Sequence, residues 1–196
     1  MIVLSSTSAT RRRLLSQSGL HFKTAKPPVD EAAVKTTLRE AGASAADVAA
    51  KLAESKAESV GAILPGAYVI GADQMLECDD AWFDKPVGLD GAKRHLRALR
   101  GKTHHLITAS AIAYEGRIVW RHTETAKMTM RDFSDAFLDR YLEKAGDGVT
   151  HSVGAYELEG IGAQLFDRIE GDFFAILGLP LIPLLSALRA AGALPT

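Results

Sequence analysis

The chain has a single cysteine, Cys78, so no internal disulfide framework can form, and this usage fits a reducing compartment. Cys78 sits in a polar run without partners at zinc-ligand spacing, which reads as an incidental thiol. Neither sign of charge is in excess. The 23 Lys and Arg face 24 Asp and Glu, for a formal net charge of -1, without the basic surplus or stripe that nucleic-acid binding calls for. Long apolar runs are also missing. The nearest, "FFAILGLPLIPLLSALRAAGALP", is broken by Gly178, Pro180 and Pro183 and carries Arg189, so it predicts a buried strand followed by a core helix. The arginines near the N-terminus follow the apolar residues, the reverse of a secretory leader. The expectation is a cytoplasmic protein that uses neither membrane nor nucleic acid. A glycine-rich phosphate loop of the Walker type is absent as well.

What the sequence does hold begins with "LSSTSATRRRLL", residues 4–15, where five hydroxyl side chains (Ser5, Ser6, Thr7, Ser8 and Thr10) precede three arginines. Ile2 to Leu4 reads as a short buried strand, and Ser8 is placed to cap a helix from about Ala9 to Gln17 that Gly19 ends. "KPPVDE" is extended by its prolines, which leaves Glu31 on a loop. Ser44 opens a helix to about Leu64, with Val48, Leu52, Val60 and Ile63 on one face. "AYVIGAD" predicts a strand ending in Asp73, and "ECDDAW" a hairpin. A helix over 89–101 capped by Asp90, two strands joined at Glu115-Gly116 and a helix from Ser134 to about Ala145 come next. A strand, a hairpin at Glu170-Gly171, another strand and a final helix over about 180–191 complete the pattern. Helices and strands interleave with hairpins between some strands, which predicts an α/β fold with a mixed sheet in one domain, its lobes flanking a cleft.

Several residues look like chemistry. Lys56 falls at the centre of the apolar stripe of its helix, so it either snorkels to water or meets an anion such as a phosphate. Asp73 either forms a turn or lies where ligands bind beyond strand ends, with the small Gly71-Ala72 pair leaving room for a ligand. Lys85 is given direction by Pro86. Glu31 is a second acid, and two converging carboxylates repel each other without a divalent cation, for which hard oxygens select magnesium or manganese. His104 and His105 alternate on a strand and read as structural or surface residues. A hydroxyl-rich loop at a helix N-terminus, followed by Arg11, suits a polyphosphate, with Ser6 and Ser8 donating and Lys56 and Lys85 adding charge.

Taken in order, these pieces resemble the Maf family of nucleoside triphosphate pyrophosphatases along nearly the whole chain. The family's "LASxSPRRxxLL" is similar to "LSSTSATRRRLL" and its "LAxxKA" to "LAESKA". "GADT/GSDQ" is similar to "GADQ", and "xKP" to "DKP". "SGxTHxxxTxxAL" is similar to "LRGKTHHLITASAI", "AGAYxIQGxGA" to "VGAYELEGIGAQL", and "IxGDxxxVVGLPL" to "IEGDFFAILGLPL". Two positions depart: Ala9 stands where the family has proline, and Thr10 where it has arginine or tryptophan. The resemblance implies an elongated α/β fold like that of the inosine triphosphate pyrophosphatases, with a cleft between two lobes. It implies hydrolysis of a nucleoside triphosphate to monophosphate and pyrophosphate with a divalent metal (Mg or Mn). Asp73 is then catalytic, Glu31 and Asp73 hold the metal, and a homodimer is compatible with the family. Thr10, Gln74 and Glu159 occupy the positions that separate subgroups, and Gln74 with Glu159 matches the 7-methyl-GTP branch. The alternatives are a dTTP/UTP pyrophosphatase, or a nucleotide-binding regulator of septum formation and cell division without turnover.

Overall fold

The computed structural model describes residues 1–195. In chain order its elements are strand β1 (Ile2–Ser5), helix α1 (Ala9–Gln17), strand β2 (Lys23–Ala25), helices α2 (Glu31–Glu40) and α3 (Ala45–Gly61), strands β3 (Tyr68–Cys78) and β4 (Ala81–Phe83) and helix α4 (Gly88–Leu99). They continue with strands β5 (Thr103–Tyr114) and β6 (Arg117–Met130), helix α5 (Asp135–Ala145), strand β7 (Phe166–Glu170) and helices α6 (Phe173–Ile176) and α7 (Leu181–Ala190). Short 3-10 turns over Gly146–His151 and Ile161–Leu165 precede β7. The strands form a mixed sheet in the order β2-β1-β3-β5-β6-β7, with β4 on β3. β1 runs parallel to β2 and to β3, while β3–β4 and β6–β7 are antiparallel. The α/β mixed-sheet expectation therefore holds.

The chain divides into two compact units: Met1–Gln74 with Thr108–Glu124 and Asp172–Thr196, and Met75–Ile107 with Thr125–Gly171. In the first unit, β1 and β3 pair from Ile2 against Tyr68 to Ser5 against Gly71. Side chains alternate across a strand. One face therefore carries Ile2, Leu4, Ile70 and Ala72 into an apolar cluster with Leu14 and Leu15 of α1 and Leu181, Leu184 and Leu188 of α7. The other face meets α3, whose start is fixed by a capping box: Ser44 Oγ accepts from the Asp47 backbone N–H, and the Asp47 carboxylate accepts from the Ser44 N–H. Val48, Leu52 and Val60 are fully buried on this helix, each burial contributing roughly 1.5–3 kcal/mol. α3 lies unusually close to β3. A Cβ added at Gly71 would stand 2.7 Å from Ala57 N and 3.0 Å from Ala57 Cβ and would run into Ala53 O. The space beside Gly71 thus belongs to the helix backbone and not to a ligand, contrary to the expectation from sequence.

Other expectations are corrected. α2 and β2 were not legible, and Glu31 is the first residue of α2, where Asp30 Oδ1 accepts from the Ala33 N–H as the N-cap. α2 buries no residue, so it has no apolar stripe to read. α3 ends at Gly61, and Ile63, expected on its buried face, is 70% exposed. β3 continues to Cys78, so Asp73 lies within this strand and not at its end. Cys78 is buried, which pushes its thiol pKa up. The N-cap of α4 is Val87, and Asp90 sits inside the first turn. After Gly171, the expected strand is the short helix α6. No helix among the described residues is long and apolar enough to cross a membrane.

Candidate active site

The close approach at Gly71 delivers Lys56 to Asp73. Lys56 Nζ donates to Asp73 Oδ1 at 2.7 Å and meets Glu31 Oε1 at 2.8 Å, and both Lys56 and Asp73 are buried. An ammonium taken out of water needs compensating charge, and two carboxylates supply it. The two acids do converge, as expected, but the lysine between them offsets their repulsion. Glu31 is half-exposed. Burial acts to raise its pKa, but the Lys56 hydrogen bond and the charges of Lys56, Lys35 and Arg11 outweigh it and hold the carboxyl below its ordinary range. Asp73 Oδ2, in contrast, is buried with no hydrogen-bond partner. Asp73 lies two residues past the final β1–β3 pair, Ser5 with Gly71, so it stands beyond the carboxyl end of its neighbour β1, where open sheets bind ligands.

The hydroxyl-rich loop is joined to this cluster by a residue outside the predicted set. Ser5 Oγ donates to the Lys56 carbonyl at 2.7 Å, tying the end of β1 to α3. Ser6 Oγ accepts from the Ser8 N–H at 3.2 Å, and Ser8 Oγ caps α1 by accepting from the Arg11 N–H at 3.3 Å. Each hydroxyl keeps its own O–H to donate. The first N–H groups of α1, those of Ala9 and Thr10, have no intrahelical acceptor, so this turn offers an anion several donors at the positive end of a helix dipole. Arg11 is partly committed elsewhere: Nε donates to Gly178 O at 2.7 Å and Nη1 to Ala72 O at 2.9 Å. Burial lowers its pKa against the opposing pull of Asp73 and Glu31, but a guanidinium stays charged. Three of its N–H groups remain.

Gln74 does something the sequence did not suggest. Its Nε2 donates to Thr108 Oγ1 at 2.8 Å and to Ala175 O and Ile176 O, each at 3.1 Å. The first unit therefore gathers Ser6, Ser8, Thr10, Arg11, Glu31, Lys56, Asp73 and Gln74.

The second unit holds Lys85 and Glu159, both exposed, Lys85 in the irregular stretch between β4 and α4. The loop bearing Glu159 is anchored from within. Tyr141 O–H donates to Ala155 O at 3.2 Å, and Tyr156 Oη lies 2.8 Å from His104 Nε2. His104 is fully buried, and desolvation, helped by nearby His105, lowers its pKa to about 3, so the imidazole is neutral. The reading of His104 as structural agrees with this placement.

A family model described as "Maf-like protein" matches residues 1–191. The chain belongs to the Maf family. Among curated Maf relatives, a "Nucleoside triphosphate pyrophosphatase" of Paramagnetospirillum magneticum is 54% identical, covering 98% of this chain and 99% of that protein. One of the same description from Rhodospirillum rubrum is 51% identical, over 98% and 96%. A "7-methyl-GTP pyrophosphatase" of Rhizobium meliloti is 48% identical, over 99% and 98%. The Maf motifs "LSSTSATRRRLL", "LAESKA" and "GADQ" thus supply, in one unit, the hydroxyl loop, the buried lysine and the acid that it grips.

Proposed function

We propose that this protein hydrolyses a nucleoside triphosphate to the monophosphate and pyrophosphate, with 7-methyl-GTP or a closely related modified purine nucleotide preferred. The observation that supports the reading most is the grip of Lys56 on Asp73 and Glu31, tied through Ser5 to the hydroxyl-bearing N-terminus of α1. It sets a carboxylate with one unclaimed oxygen beside a phosphate-sized array of donors.

In this reading, water oxygen bonds to the α-phosphorus, the bond from that phosphorus to the bridging oxygen breaks, and pyrophosphate carries the electron pair away. Asp73 Oδ2 accepts the proton of the attacking water, because Oδ1 is held by Lys56 and Oδ2 is not claimed. The N–H groups at the start of α1, the Ser6 and Ser8 hydroxyls and the remaining guanidinium donors of Arg11 face the charge that develops on phosphate oxygens. Lys56 keeps Asp73 aimed. The oxygen donor set fits magnesium or manganese, since such ions use one or two carboxylates with water and substrate phosphates. The half-exposed Glu31 can ligate directly, and Asp73 Oδ2, which lacks a partner, can hold the ion through one of its waters and so stay free to take a proton. Such a cation, held by Asp73 and Glu31, would supply positive charge to the phosphates and acidify bound water. Lys85 would add charge for the phosphates. Glu159, accepting the paired N–H donors of a guanine edge and complementing the charge of a 7-methylated ring, favours a modified purine over uracil or thymine, which present carbonyls.

The test is a panel of 7-methyl-GTP, GTP, UTP and dTTP with magnesium or manganese and direct detection of pyrophosphate. The expected result is the largest kcat/KM for 7-methyl-GTP, a shift away from guanine in Glu159→Gln, and a loss of at least about a hundredfold in rate in Asp73→Asn. A clear preference for UTP or dTTP would overturn the substrate assignment. Pyrophosphate release from none of them would make the protein a nucleotide-binding regulator.

A further inference from the structure

α6 has only four residues, Phe173–Ile176, too few to persist unaided. Its N-terminus is capped by Asp172, whose Oδ1 accepts from the Ala175 N–H at 2.7 Å. Its other end is held by two side chains from the sheet. Thr108 Oγ1 donates to Ala175 O at 2.9 Å, so a lone pair of that hydroxyl is left to accept from Gln74. The second hydrogen of the Gln74 amide is shared between the Ala175 and Ile176 carbonyls. This arrangement fixes the amide's orientation, since a flip would set Oε1 against two carbonyl oxygens. A turn further on, the Arg11 guanidinium holds Gly178 O, at a glycine with φ of 99°. The segment Asp172–Gly178 thus takes its shape from side chains of β3, β5 and α1.

Both Gln74 donors are spent in this tie. Gln74 also projects from the face of β3 opposite to Asp73, since the two are consecutive in one strand. Asp73 meets α3, and Gln74 meets α6. The donors of this amide are inside the protein, so a base edge could meet only its Oε1, as an acceptor.

We infer that Gln74 affects substrate choice as a positioning residue, by fixing Asp172–Gly178 on the sheet, and that the exposed face of this segment, which carries Phe173, is what the substrate meets. Phe173 is the large apolar side chain that the segment leaves in solvent, 48% exposed, and an aromatic ring held in place is a stacking platform for a base. A cationic 7-methylated purine would gain further from the ring's negative face. The inference rests on the nucleotide-hydrolysing reading above.

The experiment compares Gln74→Met, Thr108→Val and Phe173→Ala with the parent protein, by amide hydrogen exchange over residues 172–178 and by kcat and KM for 7-methyl-GTP and UTP. Thr108→Val removes one tie to Ala175 and should speed exchange about fivefold, as for one net hydrogen bond, and Gln74→Met by about tenfold or more. Both should move the 7-methyl-GTP to UTP ratio in the same direction and chiefly through KM, and Phe173→Ala should lower the ratio without changing exchange at the C-terminal end of α6. If Gln74→Met alters selectivity while Thr108→Val leaves both selectivity and exchange unchanged, Gln74 reads the base itself and the inference is overturned. Should the parent protein turn over no nucleotide, the hydrolase reading fails by that result, and parent-like exchange in both tie variants would separately refute the tether.

Discussion

Replacing Gly71 by alanine tests how closely packing and chemistry are linked in this fold. The new Cβ would stand 2.7 Å from Ala57 N and collide with Ala53 O, and both obstacles are main-chain atoms of α3 with no rotamer to yield. Carbon contacts are comfortable at roughly 3.5 Å, so the helix must retreat by about 1 Å. Overpacking of this kind costs about 1–3 kcal/mol, and a rigid obstacle puts Gly71→Ala near the top of that range. Lys56 lies between Ala53 and Ala57, so the retreat also draws Nζ away from its 2.7 Å contact with Asp73. A misplacement of about 1 Å in a reacting array can lower turnover by about a hundredfold. Urea unfolding and pyrophosphate release at saturating nucleotide, measured on one preparation, give the two numbers. If the variant unfolds with the parent's midpoint, or is folded and retains parent-like kcat, the reasoning about the helix approach is wrong.

Lys56→Met should destabilise by about 3–5 kcal/mol, because it strands the buried Asp73 carboxylate, and adding Asp73→Asn should restore much of that. Urea titrations in chelator would refute the pairing if the double variant were no more stable than the single one. For His104 the folded pKa is about 3, below its ordinary 6.5. The unfolded chain therefore binds more protons between these values, and stability contributed by the neutral ring is full above 6.5 and lost as pH falls toward the folded pKa. Relative to His104→Gln, which keeps a partner for Tyr156, the parent should lose about 1.4 kcal/mol per pH unit over this window. Parallel stability-pH curves for the two proteins would contradict the burial argument.

The elements with an apolar stripe or a capping residue were legible: β1, α1 with its Ser8 cap, α3 with Ser44, and α5 with Ser134 all begin where the sequence places them. Lys56 was legible for the same reason, as a charge in the middle of a stripe that either snorkels or meets an anion, and its burial against Asp73 decides for the anion. α2 was hidden because it buries nothing. α6 was hidden because its stability comes from Gln74, Thr108 and Arg11, distant in sequence, and no local pattern records such ties. Gly71 was read as space for a ligand. Sequence shows that a side chain is missing but not what fills the gap, and here a helix does.

The discontinuity of the first unit has a consequence for how the protein is made. Glu31, Lys56 and Asp73 are all synthesised by residue 74, but the apolar face behind them is closed by Leu179, Leu181, Leu184 and Leu188. At about 5–20 residues per second, the roughly hundred residues between them leave Ile2, Leu4 and Ile70 with no cover beyond Leu14 and Leu15 on the ribosome for about 5–20 s. The nascent strands β1 and β3 are then an adhesive surface waiting for the end of the message. A chain released early would carry every acidic and basic group of the cluster and lack the cover that lets its strands stay folded.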